Sequence, residues 1–395
     1  MMAVRPEWQQ ALEQVRSRLA VFPSGHPTSE HARAMLSALR TGVPPHRGAL
    51  EISVDRDKEF ATLVADIQEV TSGRSELLFI NGPYGAGKSH LLHVLRDIAL
   101  SKDSAVSLIS LTHRECPLHD LLAVYQHIVQ CLEIPGTPKG QALQVALERW
   151  ATSLYEYSRG RPDAARGAVR RLPKAFQSVL AAFYSAARAG DSALMLLALS
   201  WLRGELRSVG EARRLGVDVV PNGENALWML GNLARIVRFL KLSGLVVLFD
   251  EAETIASIPR LEQREAGYRN LRCVLESGCT PFCYFVYATT PDFIDHSQEF
   301  LRALPRRPKM LEIESLGRHD LIRWSLLIRD LHLQSYTWSN VGRVTGSKWP
   351  RFVRALLGAR REHLTNRDFG RTVVAVLDMC QRDPDLSPEA TLAAV

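Results

Sequence analysis

The sequence predicts an α/β fold, a parallel sheet with a phosphate-binding loop, a large helical insertion and a C-terminal helical lid. Two stretches carry this prediction. Leu77–Ser89 indicates a buried strand, a glycine-rich turn and the start of a helix, and Gly244–Glu253 indicates a buried strand that ends in acids. A third observation is the long helical periodicity between them, from about 117 to 240.

The glycine-rich turn matches a known phosphate-binding pattern. Gly82, Gly87, Lys88 and Ser89 fill the G-x-x-x-x-G-K-[ST] spacing of a P-loop. In such a loop, backbone N–H groups surround the β-phosphate, the lysine reaches the β- and γ-phosphates, and the serine holds Mg²⁺. We therefore predict a P-loop NTPase that uses ATP and Mg²⁺; the alternative is a turn that binds nothing. The predicted nucleotide-binding residues are Gly82, Pro83, Tyr84, Gly85, Ala86, Gly87, Lys88, Ser89 and His90.

The second buried strand ends in the pair Asp250-Glu251. Parallel sheets place their ligand chemistry at the carboxyl ends of the strands. Asp250 is therefore predicted to bind Mg²⁺ through water, together with Ser89, and Glu251 to orient and deprotonate the attacking water.

A further strand, from about 281 to 290, ends in two threonines. A hydroxyl there could bond the γ-phosphate or the water, and Thr290 is the first candidate, with Thr289 a close second. The alternative is that both threonines cap the turn before Pro291.

The remaining pattern divides the chain into three parts. We predict an N-terminal helical segment and linker (1–48), an ATPase core (49–316) with a helical insertion at about 135–220, and a helical lid (317–395). Strands are predicted at 105–111 and 310–316, and helices at 7–20, 28–40, 121–132, 141–157, 172–187, 193–209 and 224–240. Three tryptophans of the last part, Trp324, Trp338 and Trp349, are expected to fill a small core.

Composition excludes some classes of protein. Of the 395 residues, 46% are hydrophobic and 23% charged, which is typical of globular proteins and not of disordered ones. No window resembles a membrane span, and the N-terminus lacks the apolar region of a signal peptide, so we expect a cytoplasmic protein without a membrane partner. The six cysteines form no C-x-x-C pair and are expected to be buried free thiols.

The net charge of +7 permits contact with nucleic acid without requiring it. The densest basic run consists of Arg159, Arg161, Arg166, Arg170, Arg171 and Lys174. Such a run is often a solvated helix face; the other interpretation is contact with DNA phosphate or an acidic partner.

In order, these elements resemble an AAA+ ATPase of the initiator-like branch over about 50–116 and 220–380. More narrowly, the chain resembles the ATP-binding proteins of BREX-type bacterial phage-defence systems. This likeness rests on Ala38–Pro45, Asn81–Ser89, Gly244–Glu253 and Thr365–Asp378.

The segment from Val54 to Glu59 resembles the V-G-R-x-x-E loop that packs near the adenine in AAA+ proteins, although it could simply begin a charged helix. Two positions depart from the family pattern: Asp55 stands where glycine is usual, and Asn366 where proline is expected.

The resemblance implies roles for four arginines. Arg306 and Arg307 occupy the region whose arginines reach the γ-phosphate of a neighbouring subunit, although they could also be solvated surface residues. Arg367 or Arg371, in a lid helix, could approach the nucleotide phosphates. A homo-oligomer and a helicase, methyltransferase or nuclease partner on DNA are also implied.

Two other functions stay open. One is a nucleotide-gated signalling or scaffold ATPase that binds protein and not DNA. The other is a small-molecule kinase, which the Asp250-Glu251 pair disfavours because a glutamate that activates water promotes hydrolysis.

Overall fold

A computed structural model describes residues 28–111, 116–159, 164–277, 281–302, 308–359 and 364–393. Across these ranges six strands form one sheet in the order β3-β2-β4-β5-β1-β6. Neighbouring strands are parallel, except that the short edge strand β3 runs antiparallel to β2. The strands are β1 (Glu76–Asn81), β2 (Ala105–Ser110), β3 (Leu132–Glu133), β4 (Leu245–Asp250), β5 (Cys283–Thr289) and β6 (Lys309–Glu312).

Helices surround this sheet. The α-helices of the described ranges are α1 (Ser29–Thr41), α2 (Asp57–Thr71), α3 (Lys88–Ser101), α4 (Leu121–Gln130), α5 (Ala142–Ser158), α6 (Ala164–Val169), α7 (Lys174–Ala189), α8 (Ser192–Leu202), α9 (Val209–Arg214), α10 (Ala226–Phe239), α11 (Leu261–Ser277), α12 (Pro291–His296), α13 (Gln298–Arg302), α14 (Arg318–Ser335), α15 (Lys348–Ala359) and α16 (Asn366–Arg382). Short 3₁₀ turns lie at Leu50–Ile52, Ala252–Ser257, Val341–Arg343 and Pro388–Ala393.

The predicted α/β class with a mostly parallel sheet is confirmed, and each predicted strand has a counterpart. Two details of the prediction were wrong. The predicted helix 193–209 ends at Leu202, because the chain turns at Gly204 (φ +77°), and helix resumes only at Val209. The strand predicted at 310–316 ends at Glu312. The predicted helix 7–20 lies outside the described residues.

Alternate strand residues face opposite sides of the sheet and enter different cores. On one side, Leu78, Val246 and Val286 pack with α2 and α3. On the other, Phe79, Val247 and Phe285 join the helices between β3 and β5, which form the largest core of the described residues. β4 contributes five fully buried apolar residues in a row because both of its faces are covered.

A third core joins the two ends of the described chain. α1 packs against α14 and α16, and Leu36 of α1 and Phe352 of α15 are fully buried in this core. Trp324 and Trp349 lie in this core and Trp338 packs against it, in agreement with their predicted role. The predicted boundaries at 48 and 316 stay predictions, although α1 shares its core with the C-terminal helices.

The described ranges contain no helix long and apolar enough to cross a membrane. In these ranges Cys116, Cys131, Cys273, Cys283 and Cys380 form no disulfide bond. Cys279 lies outside these ranges. No group of three or more histidine, cysteine or acidic side chains in the described part of the chain could hold a metal.

Candidate functional site

The P-loop connects β1 to α3 at the carboxyl edge of the sheet. Gly87 stands directly before α3 with φ +106°, a backbone conformation that side-chain-bearing residues rarely adopt. A Cβ placed on Gly87 would meet no atom within 4 Å, so the loop is open at this point. At Gly82, by contrast, a Cβ would lie 2.6 Å from the carbonyl oxygen of Ile313. Only glycine therefore fits at this position.

Lys88 begins α3 and folds back over the loop. Its Nζ donates hydrogen bonds to the carbonyl oxygens of Gly82 (2.8 Å) and Pro83 (3.1 Å). Burial lowers the pKa of Lys88, and the nearby charges of Glu253 and Asp250 oppose that shift. The loop therefore carries a buried amine held in place by its own backbone.

Asp250 and Glu251 follow β4 at the same edge of the sheet. Burial raises the pKa of Asp250, while a hydrogen bond with the Ser89 side chain lowers it. Asp250 Oδ1 also accepts a hydrogen bond from the Glu251 backbone N–H (3.0 Å), and Glu251 adopts a left-handed backbone conformation (φ +60°). Ser89 and Asp250 are thus in contact, as their predicted shared role at Mg²⁺ requires.

Two polar residues near this acidic pair were missed by the sequence analysis. Ser110, the last residue of β2, donates a hydrogen bond from Oγ to Glu251 Oε2 (3.2 Å). Glu253 lies beside Lys88, and burial raises the pKa of its carboxyl. Ser110 could have been found from its place at the end of a strand, since β2 is the neighbour of β4.

A cavity of about 500 Å³ opens above the loop. One wall consists of the P-loop from Tyr84 to Ser89, with Asp250 and Glu251. The rest of the lining, which we call the opposite wall, includes the apolar side chains of Val43, Ile52 and Trp324. One end of the cavity is therefore suited to phosphates and the other to a flat apolar group.

The two departures from the AAA+ pattern have structural explanations. Asp55 takes φ +51°, the left-handed conformation for which glycine is usual, and aspartate tolerates it better than most residues. Asn366, where proline was expected, donates from Nδ2 to the carbonyl oxygen of Ala86 (3.1 Å). Its Oδ1 accepts a hydrogen bond from the backbone N–H of Leu316 (3.1 Å).

Arg56 approaches the same loop carbonyl from the other side. Its Nη2 donates to the carbonyl oxygens of Ala86 (3.1 Å) and Glu314 (2.5 Å), and its Nη1 to Glu59 (2.9 Å). Arg56 and Asn366 thereby tie the P-loop to two segments that are remote from it in sequence.

Of the two arginines predicted to approach the nucleotide phosphates, Arg367 lines the cavity and Arg371 does not. Arg367 Nη1 donates to the hydroxyl of Tyr84, itself a P-loop residue (2.5 Å). Arg371 lies 4.0 Å from the carboxylate of Asp368 on the same helix. This placement favours Arg367 for contact with a nucleotide.

Two other predicted site residues, Thr289 and Thr290, do not line the cavity. Thr289 is fully buried at the end of β5, and its Oγ1 has no hydrogen-bond partner in the described part of the chain. Thr290 is half-buried at the N-cap of α12 without a side-chain capping bond. Arg306 and Arg307 lie outside the described residues, as does part of the basic run between Arg159 and Lys174.

The residues present fit a nucleoside triphosphate and Mg²⁺. The space beside Gly87 admits phosphate oxygens, the buried amine of Lys88 supplies positive charge, and the contacting pair of Ser89 and Asp250 offers oxygen ligands. The apolar end of the cavity offers a surface for a base.

Two comparisons with known proteins were made, and one of them identifies the family of this chain. A search of curated proteins finds no match to this chain. The family model described as BREX system ATP-binding protein BrxC/D matches residues 28–395, and thus most of the chain. This match confirms the resemblance noted from the sequence: the chain belongs to the BREX system ATP-binding protein family BrxC/D.

Proposed function

We propose that this ATP-binding protein hydrolyses ATP with Mg²⁺ and that its nucleotide state switches its assembly or its hold on DNA-processing partners in phage defence. The observation that carries the proposal is the meeting of Lys88, Ser89 and the Asp250-Glu251 pair around one cavity.

Each side chain has a defined part in the proposed reaction. The backbone N–H groups at the start of α3 and the amine of Lys88 hold the phosphate oxygens. Ser89 and Asp250 hold Mg²⁺, which when bound supplies positive charge against the phosphates. Glu251 accepts the proton of the attacking water, and Ser110 fixes the direction of its carboxylate.

Engagement of DNA and of other subunits belongs to the same proposal. Arg170, Arg171 and Lys174 are exposed around the start of α7, where they could contact phosphate. Arg306 or Arg307 would complete the site of a neighbouring copy, because guanidinium stays charged and matches phosphate oxygens in geometry.

A signalling or scaffold ATPase is the second candidate, and one surface feature favours it. Helix α8 has the sequence SALMLLALSWL, and Leu196 on this helix is 58% exposed. An exposed apolar side chain on a helix that is apolar all round suits a protein partner better than DNA.

Steady-state ATP hydrolysis by the wild type and by Glu251→Gln, each with and without duplex DNA, tests both candidates. We expect the wild type to turn over, DNA to change its rate, and the variant to bind ATP but to stall in a larger assembly by size-exclusion chromatography. Glu262→Gln, an exposed acid at the start of α11, is the matched control and should behave as the wild type. If ATP binds while neither rate nor size responds to DNA or to Glu251→Gln, the scaffold function is favoured.

A further inference from the structure

A histidine on the P-loop helix forms part of the cavity wall. His90 follows Lys88 by two residues on α3 and lines the cavity. Its Nε2 lies 2.7 Å from the hydroxyl oxygen of Ser53, and that oxygen lies 2.8 Å from the carbonyl oxygen of Ala49. The three groups form a short chain of hydrogen bonds.

This chain determines where the imidazole carries its proton. Ser53 has one hydroxyl hydrogen, and the Ala49 carbonyl can only accept, so that hydrogen is donated to Ala49. The Ser53 oxygen must then accept from Nε2–H, which leaves Nδ1 with a free lone pair.

The position of His90 relates it to the base of a bound nucleotide. The phosphates are expected at the Lys88 end of the cavity, so the base lies toward the apolar wall. Ser53, the partner of His90, lines that wall together with Ile52 and Val54. The contact of the imidazole with Ser53 is made through Nε2, which leaves Nδ1 on the other edge of the ring.

We propose that His90 sets the base preference of the site by accepting, at Nδ1, a hydrogen bond from the exocyclic amino group of an adenine base. Guanine carries an oxygen at the corresponding ring position, which would set one lone pair against another. The inference rests on the proposed nucleotide site and adds to it the group that distinguishes one purine from the other. A site built to bond a ligand donor discriminates against analogues without it, here by about 10- to 100-fold.

The test uses a ligand that lacks only the group in question. Affinities of the full chain with Mg²⁺ are measured for ATP, GTP and purine riboside triphosphate, which has hydrogen in place of the amino group. The wild type is expected to bind ATP about 10- to 100-fold more tightly than either analogue. His90→Leu should reduce the preference for ATP over purine riboside triphosphate to within about 2-fold, with affinity for the analogue retained.

Two further variants keep the test decisive. His127→Leu, on α4 and away from the cavity, should leave the ratio of affinities unchanged. Ser53→Ala keeps the imidazole but removes its partner, so it should reduce the ratio even if His90→Leu does not fold. If the ratio of affinities for ATP and purine riboside triphosphate is unchanged in a folded His90→Leu or Ser53→Ala protein, the inference is wrong and the proposed function still stands. If the wild type binds none of the three nucleotides, the proposed function fails and the inference fails with it.

Discussion

The two walls of the cavity are built in different ways. The phosphate-facing wall consists of two short segments, the P-loop and the end of β4, and within the P-loop Lys88 bonds carbonyl groups five and six residues earlier. The opposite wall draws on Ile52, Trp324 and Asn366, which come together because the turn at Leu50–Ile52 and α16 both pack against α14. Local sequence therefore determines the first wall, whereas tertiary packing determines the second.

This difference gives the walls different expected contributions to binding. The P-loop wall offers charge to the ligand, so its loss removes binding directly. In the proposed site the opposite wall holds the loop and the base in position, so damage there is expected to weaken binding in proportion to how far the packing relaxes. Four substitutions separate these effects, from the largest to the smallest.

Lys88→Ala removes the charge of the P-loop wall. We expect ATP affinity to fall by at least about 100-fold, because charge-assisted hydrogen bonds to phosphate are the strongest polar contacts in such a site. Titration calorimetry measures the change. Lys102→Ala, at the other end of α3, is the matched control and should change the affinity by less than about 2-fold. Equal losses in the two variants would show that the amine of Lys88 does not bind phosphate.

His93 lies where the walls touch, because its ring packs against that of His46 at 5.9 Å between centroids. Burial, then the charges of His46 and Arg96, lower the pKa of His93 from 6.5 to about 3. Since the unfolded chain takes up a proton below pH 6.5 and the folded chain does not, stability is complete above 6.5 and falls as the pH is lowered toward 3. At pH 5 this histidine alone is expected to cost about 2 kcal/mol.

Denaturant unfolding of the wild type and of His93→Leu at pH 7 and pH 5 measures this effect. The variant should lose about 2 kcal/mol less than the wild type between the two pH values. His319→Leu, which replaces an exposed histidine, should show the same dependence of stability on pH as the wild type. If His93→Leu loses as much unfolding free energy between pH 7 and pH 5 as the wild type does, His93 is protonated at pH 5 in the folded protein.

Asn366→Ala breaks the connection between the P-loop and the opposite wall. It leaves the carbonyl of Ala86 with Arg56 as its remaining side-chain partner and the N–H of Leu316 without its acceptor. Lost buried hydrogen bonds cost about 1–3 kcal/mol, and we expect ATP affinity to fall about 10-fold. Gln381→Ala, on the same helix and bonded to the carbonyl of Thr337, should have little effect on affinity. An equal response of the two variants would contradict a role for Asn366 in holding the loop.

The same division explains what could be predicted from the sequence. The loop, Asp250 and Glu251 were identified because their spacing and the strand before each are local signals. Asn366 was noted only as a departure from a family pattern, because its partners, Ala86 and Leu316, are 280 and 50 residues away. The two-residue strand β3 carries too little pattern to be recognised.

Arg40→Ala tests how the opposite wall is held. Arg40 on α1 donates to Asp378 on α16 (2.7 Å), but its side chain is 34% exposed, whereas Met35, Leu36 and Leu39 of the same helix are buried. Because partly exposed ion pairs contribute about 1 kcal/mol, we expect a loss of about that size in stability and at most about 3-fold in ATP affinity. Arg33→Ala, on the same helix, serves as the comparison.

Acid unfolding adds a readout that is specific to this pair. Burial alone would raise the pKa of Asp378, but hydrogen bonds from Arg40 and His332 lower it to about 2. The ionised carboxyl therefore stabilises the fold above pH 3.8, and this contribution is lost as the pH falls toward 2. In Arg40→Ala that loss should shrink, while Arg33→Ala should retain it. If Arg40→Ala instead weakens ATP binding as much as Asn366→Ala does, the opposite wall depends on this ion pair more than on apolar packing.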